Sequence, residues 1–355
     1  MDLFATLEGT EKFFRSHNIH PDKQRIIDDL LISSLSMGTY LGAADELTDE
    51  NYINAILLGM AHGINAVDTA SNYRMQRSEK MVKKILERLP SLGISRNQII
   101  ISSKAGFIPE SQLAESHEGY IRSRYVEKGI LKQNDIFQGS HSIAPKFLEE
   151  EIENSLENMG LSCIDVYYIN NPELVHLAAG KEVFDQKIHE AFTVLEKKAK
   201  EKKIRRYGIA TWNGLRQKPR TKGLLNLKSL FTIAQEIAGE THHFKVVQLP
   251  LNLVMLEANK STNQEEEQTP LQMIEELGLS LTISSPLMQA RVLSLPERVF
   301  ATMPKELSRS MKSLQFVLAE KMVSSAIVGM TTDAHLHENI KTLQNNENFK
   351  LNQSN

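Results

Sequence analysis

The chain has a single cysteine in 355 residues, which excludes an internal disulfide framework and a thiolate-rich metal site. That residue lies in Leu161-Ser162-Cys163-Ile164, directly ahead of an apolar run, the setting of a small core side chain and not of a nucleophile with its base. Charge of one sign is also scarce. Lys and Arg number 41 against 44 Asp and Glu, a formal net charge of −3, so no general basic field draws the protein to nucleic acid or an anionic membrane. Lys197-Lys198-Ala199-Lys200 and Lys202-Lys203 read as a solvated helix face. No apolar run reaches the roughly 18 residues of a membrane span, and the N-terminus lacks the charged-then-apolar order of a secretion signal. The histidines make no ligand set: His335 and His337 are two apart, and His242-His243 lack carboxylate or cysteine partners at ligand spacing. The expectation is a soluble cytoplasmic protein with no metal, nucleic-acid or membrane partner.

A glycine-rich phosphate turn is missing as well. Gly38 and Gly42 are followed by Ala43-Ala44-Asp45, with no G-x-G-x-x-G opening a helix, which disfavours a doubly wound dinucleotide fold. What is present is an alternation of short β-like runs with longer amphipathic stretches. Runs rich in Val, Ile and Tyr occur at Asn65–Val67, Gln98–Ser102, Ile164–Ile169, Arg206–Ala210, Val246–Leu249, Leu279–Ser284 and Ser325–Val328, with Leu31–Ser36 as a weaker first strand. Between them, apolar residues recur at helical spacing: Ile53, Ile56, Leu57 and Met60; Met81, Val82, Ile85 and Leu86; Phe147, Ile152, Leu156 and Met159; Ile188, Phe192, Leu195 and Ala199. Thr48-Asp49-Glu50 offers a cap for the first helix and Gly63 its end, while Pro145 and Gly160 bracket the third. Counting a last helix near Lys305–Lys321, the pattern gives eight strand–helix units and predicts a parallel (β/α)₈ barrel, an α/β fold. We expect one domain over 1–355, with 1–30 as an N-terminal extension. Residues 106–144 form a long loop which, following a strand, falls on the catalytic face.

In such a barrel the reacting groups come from the C-terminal ends of the strands. Those positions hold Asp68, Lys104, Asn170, Thr211, Gln248, Ser284 and Gly329. An acid and a lysine on adjacent strand ends can pair in the mouth, and a tyrosine near that lysine would have its phenolate favoured and its pKa lowered. Asp68 and Lys104 alone are equally consistent with a structural salt bridge.

Gly63-Ile64-Asn65-Ala66-Val67-Asp68-Thr69-Ala70, followed by Tyr73 and Ser78-Glu79, resembles the active-site signature of the aldo-keto reductase superfamily. The resemblance continues through Ser155-Leu156-Glu157-Asn158-Met159-Gly160 with Ile164-Asp165-Val166-Tyr167-Tyr168, and through Lys203-Ile204-Arg205-Arg206-Tyr207-Gly208-Ile209-Ala210. Later landmarks are Val247-Gln248, Ser285-Pro286-Leu287, and Val328-Gly329-Met330 on to Glu338-Asn339. It implies a barrel that reduces aldehydes and ketones with NADP(H) or NAD(H) stretched across its mouth. By resemblance, Tyr73 is the general acid, Lys104 its partner and Asp68 the lysine's counter-ion. Gln248 would meet the nicotinamide carboxamide, Asn339 the adenine, and Ser285 and Leu287 would belong to a loop wrapping the pyrophosphate.

The chain departs from the family pattern in places. Asn170 stands where the family usually has histidine, and an amide can donate a hydrogen bond but cannot titrate. Ala210-Thr211 replaces a carboxamide-binding Ser-Asn pair, leaving Thr211 as part of that contact, and Ser284 replaces a stacking aromatic. Where a basic clamp for a 2′-phosphate is usual, the candidates are Gly329, Thr331, Thr332 and His335, so the preference between NADPH and NADH stays open. The family's potassium-channel β subunits, nucleotide binders with weak reductase activity, also resemble this pattern. The leading reading is therefore a reductase acting on a small-molecule carbonyl substrate. A nucleotide-binding regulatory protein on the same barrel is the alternative, and a Schiff-base aldolase using Lys104 the third.

Overall fold

The computed structural model describes residues 3–344 apart from 112, 113 and 115. Its strands are β1 (Gln24–Ile27), β2 (Leu30–Ser33), β3 (Leu35–Gly38), β4 (Ala66–Asp68), β5 (Ile100–Ala105), β6 (Ile164–Asn170), β7 (Ile204–Ala210), β8 (Phe244–Pro250), β9 (Ser280–Ser284) and β10 (Val323–Gly329). The strands from β3 to β10 run parallel and close into a barrel, with β10 pairing back onto β3 from Ala326 opposite Leu35 to Gly329 opposite Gly38. The helices are α1 (Leu7–Ser16), α2 (Glu46–Ala61), α3 (Arg77–Arg88), α4 (His117–Ile121), α5 (Pro145–Met159), α6 (Glu173–Ala179), α7 (Lys181–Lys200), α8 (Leu227–Ala238), α9 (Glu257–Lys260), α10 (Pro270–Glu276), α11 (Arg309–Leu318) and α12 (Asp333–Gln344). The (β/α)₈ expectation holds.

Period-two alternation divides each barrel strand between two cores. Ile101, Tyr167, Ile169, Ile209, Val247 and Leu249 face outward into the large core shared with the helices. Ile100, Val166, Tyr168, Ala210 and Val246 face inward and form a second cluster inside the barrel. By the same register Ser102, Lys104, Asn170 and Gln248 also face inward, toward the mouth. Fully burying an Ile, Val or Phe is worth about 1.5–3 kcal/mol, so a one-residue register slip would exchange these two cores at heavy cost.

The sequence-based first strand, Leu31–Ser36, proves to straddle two elements. Residues up to Ser33 belong to β2, which pairs antiparallel with β1, and the barrel strand starts only at Leu35. The hairpin closes the bottom of the barrel. Ile27, Leu30 and Ile32 insert among the interior residues, and the buried Arg206 reaches down to Asp28 (3.2 Å) and Asp29 (2.6 Å) in its turn. A second correction concerns the cap of α2. The side chain of Asp45, not one from Thr48-Asp49-Glu50, accepts from the Thr48 N–H. Asp49 is instead buried and holds two arginines. Pro145 opens α5 and Gly160, at φ +64°, ends it in the left-handed region.

The long segment after β5 is held against the barrel at both ends. Tyr125 donates to Glu151 on α5 at 2.8 Å, and the ring of the buried His141 donates from Nε2 to the Asn170 carbonyl at 2.8 Å. Gly106 lies at φ +146°, where an added Cβ would come within 2.4 Å of that same carbonyl oxygen, so only glycine fits there.

Candidate active site

Asp68 is the last residue of β4, and Lys104 sits on the neighbouring β5, two residues beyond the Ser102 that pairs with Asp68. Their inward side chains meet. Lys104 is fully buried and donates from Nζ to Asp68 Oδ2 at 2.6 Å and to the Thr69 carbonyl at 2.9 Å. The other carboxylate oxygen of Asp68 accepts from Ser102 at 2.8 Å and from Gln248 at 3.1 Å. The inward-facing chain continues from Gln248 to Thr282 (3.4 Å) and from Thr282 to Tyr168 (3.2 Å). Such a network costs little to bury because its charges are paired and hydrogen-bonded.

Tyr73 covers this pair. Its ring centroid lies 5.2 Å from Lys104 Nζ and 5.0 Å from the ring of Tyr40, packed edge-on at 64°. The backbone that delivers it is unusual: Arg74, Met75 and Gln76 have φ of 49°, 55° and 69°, a left-handed turn without glycine. Each such residue costs on the order of 1–2 kcal/mol, so the surroundings must hold it. Arg74 does so, donating to Asp49 at 2.6 Å, to the Ala43 carbonyl at 2.8 Å and to the Asp45 carbonyl at 3.2 Å.

The electrostatics differ from the expected lowering of the tyrosine pKa. Desolvation, with the Asp68 charge and Tyr40 adding to it, holds the Tyr73 phenol well above its ordinary value. Lys104 spends its hydrogen bonds on Asp68 and Thr69; its own pKa is lowered by burial, which the Asp68 charge opposes. Tyr73 therefore carries its proton at neutral pH.

This geometry sits in a chain that matches the aldo/keto reductase family over residues 34–312. The chain belongs to that family. The NADH-specific methylglyoxal reductase of Escherichia coli (strain K12) is 27% identical over 187 residues, 51% of this chain and 49% of that protein, so the match spans about half the length of that curated relative. Among solved structures, the holo form of an aldo-keto reductase from Bacillus halodurans superposes with a TM-score of 0.64 at 19% identity, covering 91% of each chain. An aldo-keto reductase from Klebsiella pneumoniae in complex with NADPH gives 0.59 at 17% identity, covering 90% of each. These two likenesses bear on the fold.

Asn170, the family's histidine position, ends β6 on the inward register with its side-chain amide free of hydrogen bonds among the described residues, while its backbone carbonyl accepts from His141. The residues anticipated for the nucleotide fall into two sets. Gln248 and Thr211 both have their polar groups engaged within the protein. Gln248 is part of the Asp68 network. The Thr211 hydroxyl accepts from the Gly214 N–H at 2.8 Å within its own turn.

Ser284, Ser285, Leu287, Gly329, His335 and Asn339 occupy the adjoining arc formed by β9, β10 and α12. After β9, Ser285, Met288, Gln289 and Ala290 have φ between 46° and 66°. Left-handed residues of this kind turn consecutive backbone N–H groups to one side, as an anion such as pyrophosphate requires. Leu287 packs half-buried against the core. A Cβ at Gly329, the end of β10, would make only ordinary contacts, with the Gly38 carbonyl oxygen at 3.8 Å and the Tyr52 hydroxyl at 3.9 Å, and His335 is exposed. Asn339 is buried, with an Oδ1 that has no partner, an acceptor suited to the amine of an adenine. These residues fit a dinucleotide.

Ser102, Tyr168 and Thr282 are the site residues that sequence reasoning missed. Their signal was a polar side chain at an inward position of a strand whose neighbouring inward residues in the barrel interior are mostly apolar. No helix of the described residues is long and apolar enough to cross a membrane.

Proposed function

We propose that the barrel mouth reduces aldehyde or ketone groups with NADPH or NADH, with Tyr73 as the general acid. The observation that carries this reading is the fully buried Lys104–Asp68 pair directly beneath the half-buried phenol of Tyr73, in a chain of this family. The nucleotide would rest on the 285–290 loop with its adenine toward Asn339, and it supplies the hydride. The chain's own residues handle the oxygen. Tyr73 keeps its proton at neutral pH and donates it to the carbonyl oxygen as negative charge develops there. The Lys104 ammonium, 5.2 Å from the ring centroid, favours the phenolate left behind. Asp68 fixes the lysine in place, and Ser102 and Gln248 fix Asp68. The unpaired Asn170 amide donates a second hydrogen bond to the same oxygen in place of an imidazole.

Lysine and arginine are missing from Gly329, Thr331, Thr332 and His335, so preference for NADPH over NADH should be modest. Asn170 favours a second reading, a nucleotide-binding regulatory protein with weak or lost catalysis. The test titrates each reduced nucleotide by fluorescence, then supplies an aromatic aldehyde. Binding at micromolar affinity, near −8 kcal/mol, with turnover supports the first reading. Binding without turnover supports the second, and no binding contradicts both.

A further inference from the structure

The turn after β6 and the loop after β7 form one hydrogen-bonded unit centred on a buried carboxylate that the mechanism above does not use. Glu173, the first residue of α6, is 1% exposed. A single oxygen, Oε1, accepts from the backbone N–H groups of Trp212 (3.1 Å), Asn213 (2.9 Å) and Gly214 (3.3 Å). The other oxygen has no partner. Asn171, left-handed at φ +48°, adds its side-chain oxygen to the Trp212 N–H at 2.8 Å and donates its own N–H to the Ala210 carbonyl. Ala210 is the strand partner of Asn170. The backbone of Trp212 is thus tied at two points to the residues that directly follow the site.

The side chain so placed is the protein's one tryptophan, and it stands 37% exposed on the catalytic face. It has company there. Tyr40 and Leu41 after β3, Met75 after β4 and Val254 after β8 are also exposed by 36–56%, each on a loop at the C-terminal end of a barrel strand. Apolar side chains gathered on one rim, around a site that consumes a small molecule, mark where its apolar part rests.

We propose that Glu173 is a positioning residue that holds Trp212 as one wall of the mouth, and that this wall selects aromatic aldehydes over small polar ones. The selectivity rests on the carbonyl-reductase reading; the positioning does not. Glu173→Ala removes all three bonds, whereas Glu173→Gln keeps an amide oxygen in the place of Oε1 and puts the amine where Oε2 has no partner.

Because Trp212 is the only indole, its emission and its quenching by acrylamide report the loop directly. We expect Glu173→Ala to raise acrylamide quenching and to lower the preference for 4-nitrobenzaldehyde over methylglyoxal in kcat/KM by about 10-fold, the scale of a lost apolar pocket contact. Nucleotide affinity and turnover of methylglyoxal should stay near wild type, and Glu173→Gln should restore both quenching and preference. Should the alanine variant fail to fold, Glu173→Asp, which withdraws the carboxylate by one methylene, gives the same readings. Wild-type quenching in a folded Glu173→Ala protein overturns the proposal. So does altered quenching with unaltered preference, which would leave Glu173 a cap of the loop alone. If the wild type reduces neither aldehyde, the carbonyl-reductase reading fails. The positioning is then still decided by acrylamide quenching, and the wall by whether Glu173→Ala weakens quenching of Trp212 by bound 4-nitrobenzaldehyde.

Discussion

Replacing Lys104 by methionine separates what the buried pair does for the fold from what it does for the chemistry. The ammonium is fully buried and makes two hydrogen bonds, one to Asp68 at 2.6 Å. Lys104→Met leaves the Asp68 carboxylate in the barrel with only Ser102 and Gln248 as partners. Removing one member of a buried ion pair typically costs 3–5 kcal/mol, because the other charge is left uncompensated. At about 2.1 cal/mol/K of unfolding entropy per residue, that loss lowers Tm of a chain this long by roughly 4–7 °C. Asp68→Asn should cost a similar amount by stranding the ammonium. The double variant Lys104→Met/Asp68→Asn strands neither charge, so it should recover most of the stability while carbonyl reduction stays depressed by at least the ~10²-fold of a disabled general acid. Calorimetry of the four proteins, paired with aldehyde reduction at saturating nucleotide, reads both effects. Additive losses of stability in the double variant would refute the pairing argument. Full activity in any of the three variants would refute the catalytic one.

The raised Tyr73 pKa makes the two directions of the reaction unequal: reduction should be flat through neutral pH, whereas alcohol oxidation, which needs the phenolate, should keep rising above about pH 10, as initial rates across a pH series would show. Asn170→Ala should slow reduction by roughly 10²–10³-fold through loss of one donor to the oxygen, and Asn170→His should match or exceed the native rate; indifference to both places Asn170 outside the site. Glu151 is buried with one unpartnered oxygen, and desolvation raises its pKa from 4.5 to about 7. With the folded value above the unfolded one, its contribution to stability is complete below pH 4.5 and is lost as pH rises through 7. Glu151→Gln should therefore flatten the pH dependence of denaturant unfolding across that window and leave the variant more stable by about 1–3 kcal/mol at pH 8.

The barrel was legible because its strands alternate and its helices carry apolar stripes, signals that survive without tertiary information. Strand boundaries shifted where two elements abut: Leu31–Ser36 reads as one apolar run, yet Ser33 bonds to Asn65 at 2.9 Å and the chain changes sheets there. Thr48-Asp49-Glu50 looks like the cap from sequence, and only the arginines of the next βα unit, Arg74 and Arg77, assign Asp49 to ion pairing. The left-handed turn at Arg74–Gln76 has no local signature, since neither glycine nor asparagine occupies it. It exists because a residue from α2 and carbonyls from the preceding loop grip Arg74. The direction of the Tyr73 pKa was misjudged for a similar reason: a lysine nearby suggests a stabilised phenolate, but burial and the Asp68 charge weigh more. Glu173 was invisible as a functional residue because its partners are backbone N–H groups forty residues away.

The central claim is that Tyr73 delivers a proton to a carbonyl while a nicotinamide nucleotide is reoxidised. Single-turnover reduction of an aromatic aldehyde by the preformed complex with NADPH or NADH, followed by the near-ultraviolet absorbance of the reduced nucleotide, tests it directly in wild type and Tyr73→Phe. The account predicts a burst of nucleotide oxidation in the wild type and a rate lower by at least ~10²-fold in Tyr73→Phe, with nucleotide affinity unchanged. Equal rates in the two proteins would contradict it.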